Sequence, residues 1–277
     1  MEVVEANGAK IPAIGLGTMT LQGAVCVDAV RTALKLGYRH IDTAERYRNE
    51  AEVGEGLRQG LADAGLKREE VFVTTKVYHD KLAADDFQRS FDDSLAKLKL
   101  PWVDLLLIHW PNPAVPLAET LGVLCKARRD GRARHVGVAN FTTALLRDAV
   151  KLASEPLVTN QIEVHPFIDQ DKVLAACRGY GMAVTAYCPL ARGKVPGNAV
   201  LERIGAARGK SAAQVALRYL VQRGIVPIPR TATPAHLAAN LAVFDFKLDD
   251  AQMAEIGKLK VAGARVVNPP HAPKWDD

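Results

Sequence analysis

The sequence predicts an α/β protein, a (β/α)8 barrel of the TIM type whose bottom is closed by an N-terminal β-hairpin. Three observations carry that expectation. Eight short, β-rich apolar runs alternate with amphipathic stretches along the 277 residues. Several runs are apolar at nearly every position, as strands covered on both faces are. The length also suits one α/β barrel, a fold that commonly takes about 250 residues.

In chain order, Val3 to Ile11 reads as a hairpin turning at Asn7-Gly8, a favoured type I′ pair. Ile14 to Gly17 is the first barrel strand. A helix over Asp28 to Leu36 follows, with Ala29, Ala33 and Leu36 at helical spacing and Gly37 where a C-cap glycine belongs. His40 to Thr43 and Val71 to Lys76 are strands two and three. The helix Asp85 to Leu98 then puts Phe87, Phe91, Leu95 and Leu98 on one stripe. Strands four to seven are Val103 to His109, His135 to Val138, Val158 to Ile162 and Ala183 to Tyr187. Ser211 is placed to cap a helix carrying Val215, Leu217, Leu220 and Val221. Ile225 to Ile228 is the eighth strand, and Thr233 as N-cap with Pro234 at the first helical position opens a helix toward Leu241. No linker interrupts this pattern, so one domain is expected over 1–277, with the hairpin in 1–12 and a tail in 262–277.

Composition excludes several classes. Apolar residues make up 48% of the chain, too many for a disordered one, and 21 Gly, 15 Pro and 4 Cys fit neither a collagenous nor a disulfide scaffold. The net charge is +5, and the densest basic cluster, Lys126 to Arg129, is followed at once by Asp130. That reads as a solvated helix end rather than a nucleic-acid patch, although a basic surplus favours anionic ligands. Cys26, Cys125, Cys177 and Cys188 form no Cys-x-x-Cys pair, so reduced thiols and no zinc are expected. No signal-like start and no apolar run of about 20 residues is present. A cytoplasmic monomer without nucleic-acid or membrane partners is the expectation.

In such barrels chemistry sits where strands end. Asp42, Lys76 and His109 finish strands two, three and four, and Tyr47 follows Asp42 by five residues. Singly, these are an Asx-turn, a snorkelling lysine, a hydrogen-bonded histidine and a packing phenol. On adjacent strands they form an acid, an amine, an imidazole and a phenol that can converge. After strand eight, Arg230 and Thr231 precede the helix N-terminus at Thr233-Pro234, an arrangement suited either to a phosphate or to a plain cap with a surface Arg.

The motifs are longer than this constellation requires. Gly15-Leu16-Gly17-Thr18, Gly37 to Ala44 with Tyr47, Asn49 to Gly54, Thr74-Thr75-Lys76, Val103 to Pro111, Gly137 to Phe141 and Asn160 to Glu163 together resemble the aldo-keto reductase family, in order from about residue 11 to 260. Short loops are similar to those of its bacterial 2,5-diketo-D-gluconate reductases. The tail Ala272 to Asp276 resembles the B-type members, which also reduce methylglyoxal. The resemblance implies NADPH-dependent reduction of aldehydes and ketones, with a small-molecule carbonyl as substrate and Tyr47 as proton donor. Lys76 would lower the phenol pKa from about 10, Asp42 would keep Lys76 charged, and His109 would orient the carbonyl.

By the same resemblance, Gly17, Thr18 and Asp42 border the cofactor, and Asn140 and Gln161 bind its carboxamide. Tyr187 stacks on the nicotinamide, while Pro189, Leu190, Arg192 and Gly193 run along the pyrophosphate. Arg230 and Thr231 hold the 2′-phosphate, and Asn240 meets the adenine. Met19, Tyr78, Trp110 and Trp275 line the substrate mouth. This chain departs from the usual pattern at Ala139 for Ser, His236 for a second Arg and Ala239 for Glu. Losing a fixed cation implies NADPH preference with appreciable NADH use. Two other functions fit the same fold: a Schiff-base lyase using Lys76, which Asp42 opposes by keeping the amine charged, and a non-catalytic nucleotide-sensing regulatory subunit.

Overall fold

The computed structural model describes residues 2–276; Met1 and Asp277, the ends of the expected hairpin and tail, lie outside the described residues. Strands β1 (Val3–Ala6) and β2 (Ala9–Pro12) form the hairpin, with Asn7 at φ 44° and Gly8 at φ 86°, the two positive values a type I′ turn requires. There follow β3 (Leu16–Gly17), α1 (Gly23–Leu36), β4 (His40–Asp42), α2 (Glu50–Ala64), β5 (Phe72–Val77), α3 (Ala84–Leu98), β6 (Val103–Ile108), α4 (Leu117–Arg129), β7 (Ala133–Ala139), α5 (Thr143–Leu152) and β8 (Leu157–Glu163). Next come α6 (Asp171–Gly179), β9 (Ala183–Tyr187), α7 (Ala199–Ala206), α8 (Ala212–Gln222), β10 (Ile225–Pro227), α9 (Pro234–Leu241) and α10 (Asp250–Gly257).

Strands β3 to β10 pair in parallel in chain order. The sheet closes on itself because Gly15 N–H donates to Pro227 O at 3.0 Å and Gly17 N–H to Pro229 O at 3.1 Å. Glycine is needed at this seam: a Cβ on Gly17 would lie 2.8 Å from the Ile228 carbonyl oxygen. Closure in turn fixes which strand ends face the same mouth.

Side chains alternate along each strand, so half of them fill the barrel. Ile11 of the hairpin packs with Phe72, Leu105, Leu107, Val158 and Val226 in one buried interior cluster. The hairpin therefore plugs the N-terminal end, and Asn7 Nδ2 latches it by donating to Leu157 O (2.7 Å) and Tyr180 O (3.0 Å). The outward faces pack under the helices. Phe87, Phe91, Leu95 and Leu98 of α3 are all buried, as their spacing predicts.

Caps largely follow the sequence. Gly37 takes φ 110° after α1, and Ser211 with Gln214 forms a capping box on α8. The basic run ends α4, with Lys126 paired to Asp130 and Arg128 to Glu155. One cap differs from expectation. Thr233 occupies the N-cap position of α9, but its side chain caps nothing; its N–H donates instead to Thr231 Oγ1 at 3.1 Å. Strand bounds shift by a residue or two, and α1 begins at Gly23, five residues before Asp28. No helix among the described residues is long and apolar enough to cross a membrane.

Candidate active site

The three strands β4, β5 and β6 end side by side, which brings Asp42, Lys76 and His109 to one mouth. Tyr47 arrives on a single 3₁₀ turn, Glu45–Tyr47, that follows β4. Lys76 and Asp42 are essentially inaccessible to solvent. Lys76 Nζ donates to Asp42 Oδ1 at 2.5 Å, to Thr43 O at 2.8 Å and to Tyr47 OH at 3.4 Å, using all three of its N–H groups. The second Asp42 oxygen accepts from Gln161 Nε2 at 2.7 Å. The buried ion pair is thus held rigidly and aimed at the phenol.

Electrostatics here differ in two respects from the sequence expectation. Burial, seconded by Asp42, pushes Tyr47 well above the ordinary phenol range rather than below it. Burial also pulls Lys76 below its usual value, with Asp42 and its hydrogen bond opposing that pull. Tyr47 is half-buried at the cleft floor near the Asp42 carboxylate, and the ammonium touches it only at the long end of hydrogen-bond range. A protonated phenol is the consequence. The phenolic oxygen accepts from Lys76, leaving its own proton free to be donated outward.

His109 sits edge-on to both Tyr47 and Tyr78, with ring centroids 5.7 and 5.4 Å apart. Burial and the Lys76 charge hold its imidazole well below the ordinary histidine value, so it is neutral at pH 7. Its carbonyl accepts from Asn140 Nδ2 at 2.9 Å, and Asn140 Oδ1 accepts from Tyr187 OH at 2.7 Å. Asn140 stands at φ 64°, a left-handed conformation that asparagine tolerates well. That geometry turns its amide across the strand ends and links His109 to Tyr187.

A cleft of about 630 Å³ opens above these groups. Gly17, Met19, Asp42, Tyr47, His109 and Trp110 line it on one side; Asn140, Gln161, Tyr187, Pro189, Leu190, Arg192, Gly193 and Arg230 line the other. The remaining expected residues lie elsewhere. Thr18 is fully buried, its hydroxyl donating to Asp42 O at 3.0 Å, so it supports the floor. Asn240 is buried and meets the Tyr38 hydroxyl. Thr231 is buried behind Arg230 and His236 is exposed on α9, neither lining the cleft. Tyr78 and Trp275 stand behind the mouth, Trp275 packing against Trp110 at 5.9 Å.

Sequence reasoning missed four groups. The Thr43 carbonyl grips Lys76, and Val267 lines the cleft from the tail. His271 stacks on His79 at 3.9 Å and bonds Tyr78 OH at 3.4 Å. Glu163 lies buried at the end of β8. None has a local sequence signal, because each acts on a distant segment.

The donor set suits a nicotinamide dinucleotide. Two side-chain amides, Asn140 and Gln161, adjoin the Tyr187 ring at one end of the cleft, and the guanidinium groups of Arg192 and Arg230 are exposed at the other. A flat ring bearing a carboxamide, together with phosphate groups, needs those partners.

A parallel barrel with a tyrosine above a buried lysine–aspartate pair at its C-terminal mouth defines a class of carbonyl-reducing oxidoreductases. The chain belongs to the Aldo/keto reductase family, whose model it matches over residues 13–260. It is 41% identical to methylglyoxal reductase DkgB of Yersinia pestis, over 96% of this chain and 100% of that one. A crystal structure assigned as a 2,5-diketo-D-gluconic acid reductase B superposes with TM-score 0.96 at 46% identity, covering 100% of this chain and 98% of that one. An aldo-keto reductase of Bombyx mori, solved in complex with NADP, gives TM-score 0.86 at 35% identity over 94% and 92% of the two chains. The protein is therefore an NAD(P)H-dependent oxidoreductase acting on carbonyl groups.

Proposed function

We propose that the enzyme reduces small dicarbonyls and keto sugars to alcohols with NADPH, methylglyoxal and 2,5-diketo-D-gluconate first among them, and that Tyr47 donates the proton. The observation that carries this reading is the Lys76–Tyr47 contact at 3.4 Å over the buried Asp42. Similarity to a methylglyoxal reductase and to a diketogluconate reductase supports the substrate class.

When bound, NADPH supplies the hydride that reduces the carbonyl carbon. Tyr187, Asn140 and Gln161 would hold its ring, while Arg192 and Arg230 would meet its phosphates. The residues do the rest. Neutral His109 offers a ring N–H to the carbonyl oxygen, fixing the substrate and stabilising charge that grows there. Tyr47 keeps its proton in the resting site and gives it up once an alkoxide, a far stronger base, stands before it. The phenolate left behind lies beside the Lys76 ammonium, which stabilises it, and Asp42 compensates that ammonium.

The same contacts oppose a Schiff-base role for Lys76. Burial favours a neutral amine, but all three N–H groups are engaged and the nitrogen is inaccessible. Tyr47→Phe tests the reading. Turnover of methylglyoxal followed by NADPH absorbance is expected to fall about 10³-fold, within the range for a lost general acid, with NADPH affinity unchanged. A variant that keeps near-normal turnover refutes it.

A further inference from the structure

Residues 266–276 do not trail from the barrel but cross its mouth, and both ends of that crossing are clasped. At one end Glu163, wholly buried at the tip of β8, accepts from Val266 N at 2.7 Å and Val267 N at 2.8 Å, one oxygen for each. His165 Nδ1 accepts from Phe167 N at 3.3 Å, so its proton sits on Nε2, which donates to Glu163 Oε1 at 3.0 Å. Glu163 pairs in register with Tyr187 across β8 and β9 and lies two residues beyond Gln161 on the same strand face. At the other end the Asp276 carboxylate accepts from Thr143 N and Thr143 Oγ1, both at 2.8 Å, at the start of α5. Lys172 Nζ donates to the Asp276 carbonyl at 2.9 Å.

Between the clasps the strap presents Val267 to the cleft, His271 against Trp110 and Tyr78, and Trp275 against Trp110. Tyr78 and Trp110 adjoin His109, so the strap backs the wall against which substrates of different size would differ. Neither clasp touches Tyr47, Lys76, Asp42 or His109.

We infer that Glu163 is a positioning residue for substrate selection: with Asp276 it holds the C-terminal strap at a fixed height over the mouth and so sets the fit of the carbonyl substrate without taking part in the chemistry. This rests on the carbonyl-reductase reading above. Its logic is that a buried carboxylate accepting from three donors has no neutral substitute of the same shape. In Glu163→Gln one of the two oxygens becomes an NH₂ group facing a backbone N–H, whichever way the amide is turned.

Hydrogen–deuterium exchange and steady-state kinetics on the full chain with NADPH test this. In Glu163→Gln the amides of residues 266 and 267 are expected to exchange at least about tenfold faster. KM for methylglyoxal is expected to rise about tenfold while kcat stays within about threefold, since orientation and not proton transfer is disturbed. Asp276→Ala, which leaves the barrel interior untouched, is expected to raise KM in the same direction, about threefold, and to alter Trp275 fluorescence. Unchanged exchange in Glu163→Gln, or faster exchange with KM unmoved in both variants, overturns the inference, as does a loss confined to kcat. If the wild-type enzyme reduces no carbonyl, the functional reading fails and the substrate-selection role falls with it. The exchange rates then still decide whether the carboxylate clasps the strap.

Discussion

At the C-terminal mouth Asp42 is buried against Lys76 and Gln161; at the N-terminal end Asp104 is buried against Arg68 at 2.8 Å, Arg134 at 3.3 Å and Val73 N at 2.9 Å. Both carboxylates are fully satisfied, yet their cations differ. The lower pair uses two guanidinium groups lying over the faces of Trp102, at 4.0 and 3.6 Å from its centroid. Guanidinium does not give up a proton at accessible pH, and the hairpin plugs the barrel beside it. The upper cation is an ammonium that burial makes easier to deprotonate, touching a phenol beneath an open cleft. A buried carboxylate held by cations therefore serves as a staple at one end and as part of a reactive site at the other. Both ends border a cleft, so the titratability of the cation makes the difference.

The largest effect that could break this contrast is expected at the mouth. Lys76→Met should lower kcat about 10³-fold, and by stranding Asp42 it should also destabilise the fold by about 3–5 kcal/mol, read by urea denaturation. Activity that survives the change would put the two ends on the same footing. Asp104→Ala should show the converse: a loss of about 3 kcal/mol from leaving Arg68 without its partner, with kcat/KM within about twofold of wild type.

An acid titration sharpens the comparison between them. His40 lies two residues below Asp42 on β4, wholly buried, and burial lowers its pKa to about 4. The unfolded chain, titrating near 6.5, binds the proton first. Stability is thus complete above about pH 6.5 and falls as pH drops toward 4, by about 3 kcal/mol; His40→Asn should flatten that slope in thermal melts. The smallest effect is expected at the cleft rim. Arg230→Ala should lower kcat/KM about tenfold for NADPH and little for NADH, and equal losses for both cofactors would remove the 2′-phosphate assignment.

Much of this was legible in the sequence because it is periodic or local. The apolar run of β6, the stripe of α3, the Asn7-Gly8 turn and the Ser211 cap follow from spacing and backbone preference. Asp42, Lys76 and His109 were legible because strands in register carry their ends to one plane. What the sequence leaves unread is side-chain orientation and long-range contact. Thr18, Thr231 and Asn240 sit at the expected strand and helix ends, but rotation of each side chain into the protein cannot be read from residue type. Thr233 holds the expected N-cap position of α9, but its side chain caps nothing. Glu163 and Asp276 act on segments more than 100 residues distant, where no pattern along the chain points.

The glycine seam joining β3 to β10 also governs how the molecule can be made. Its two halves are synthesised more than 200 residues apart, and the Asn7 latch must likewise await Leu157 and Tyr180. A nascent chain emerging from the ribosome therefore carries a half-built sheet with two raw edges until its eighth strand appears. Closure is a late event of high contact order, and that interval is when the chain is most exposed to aggregation.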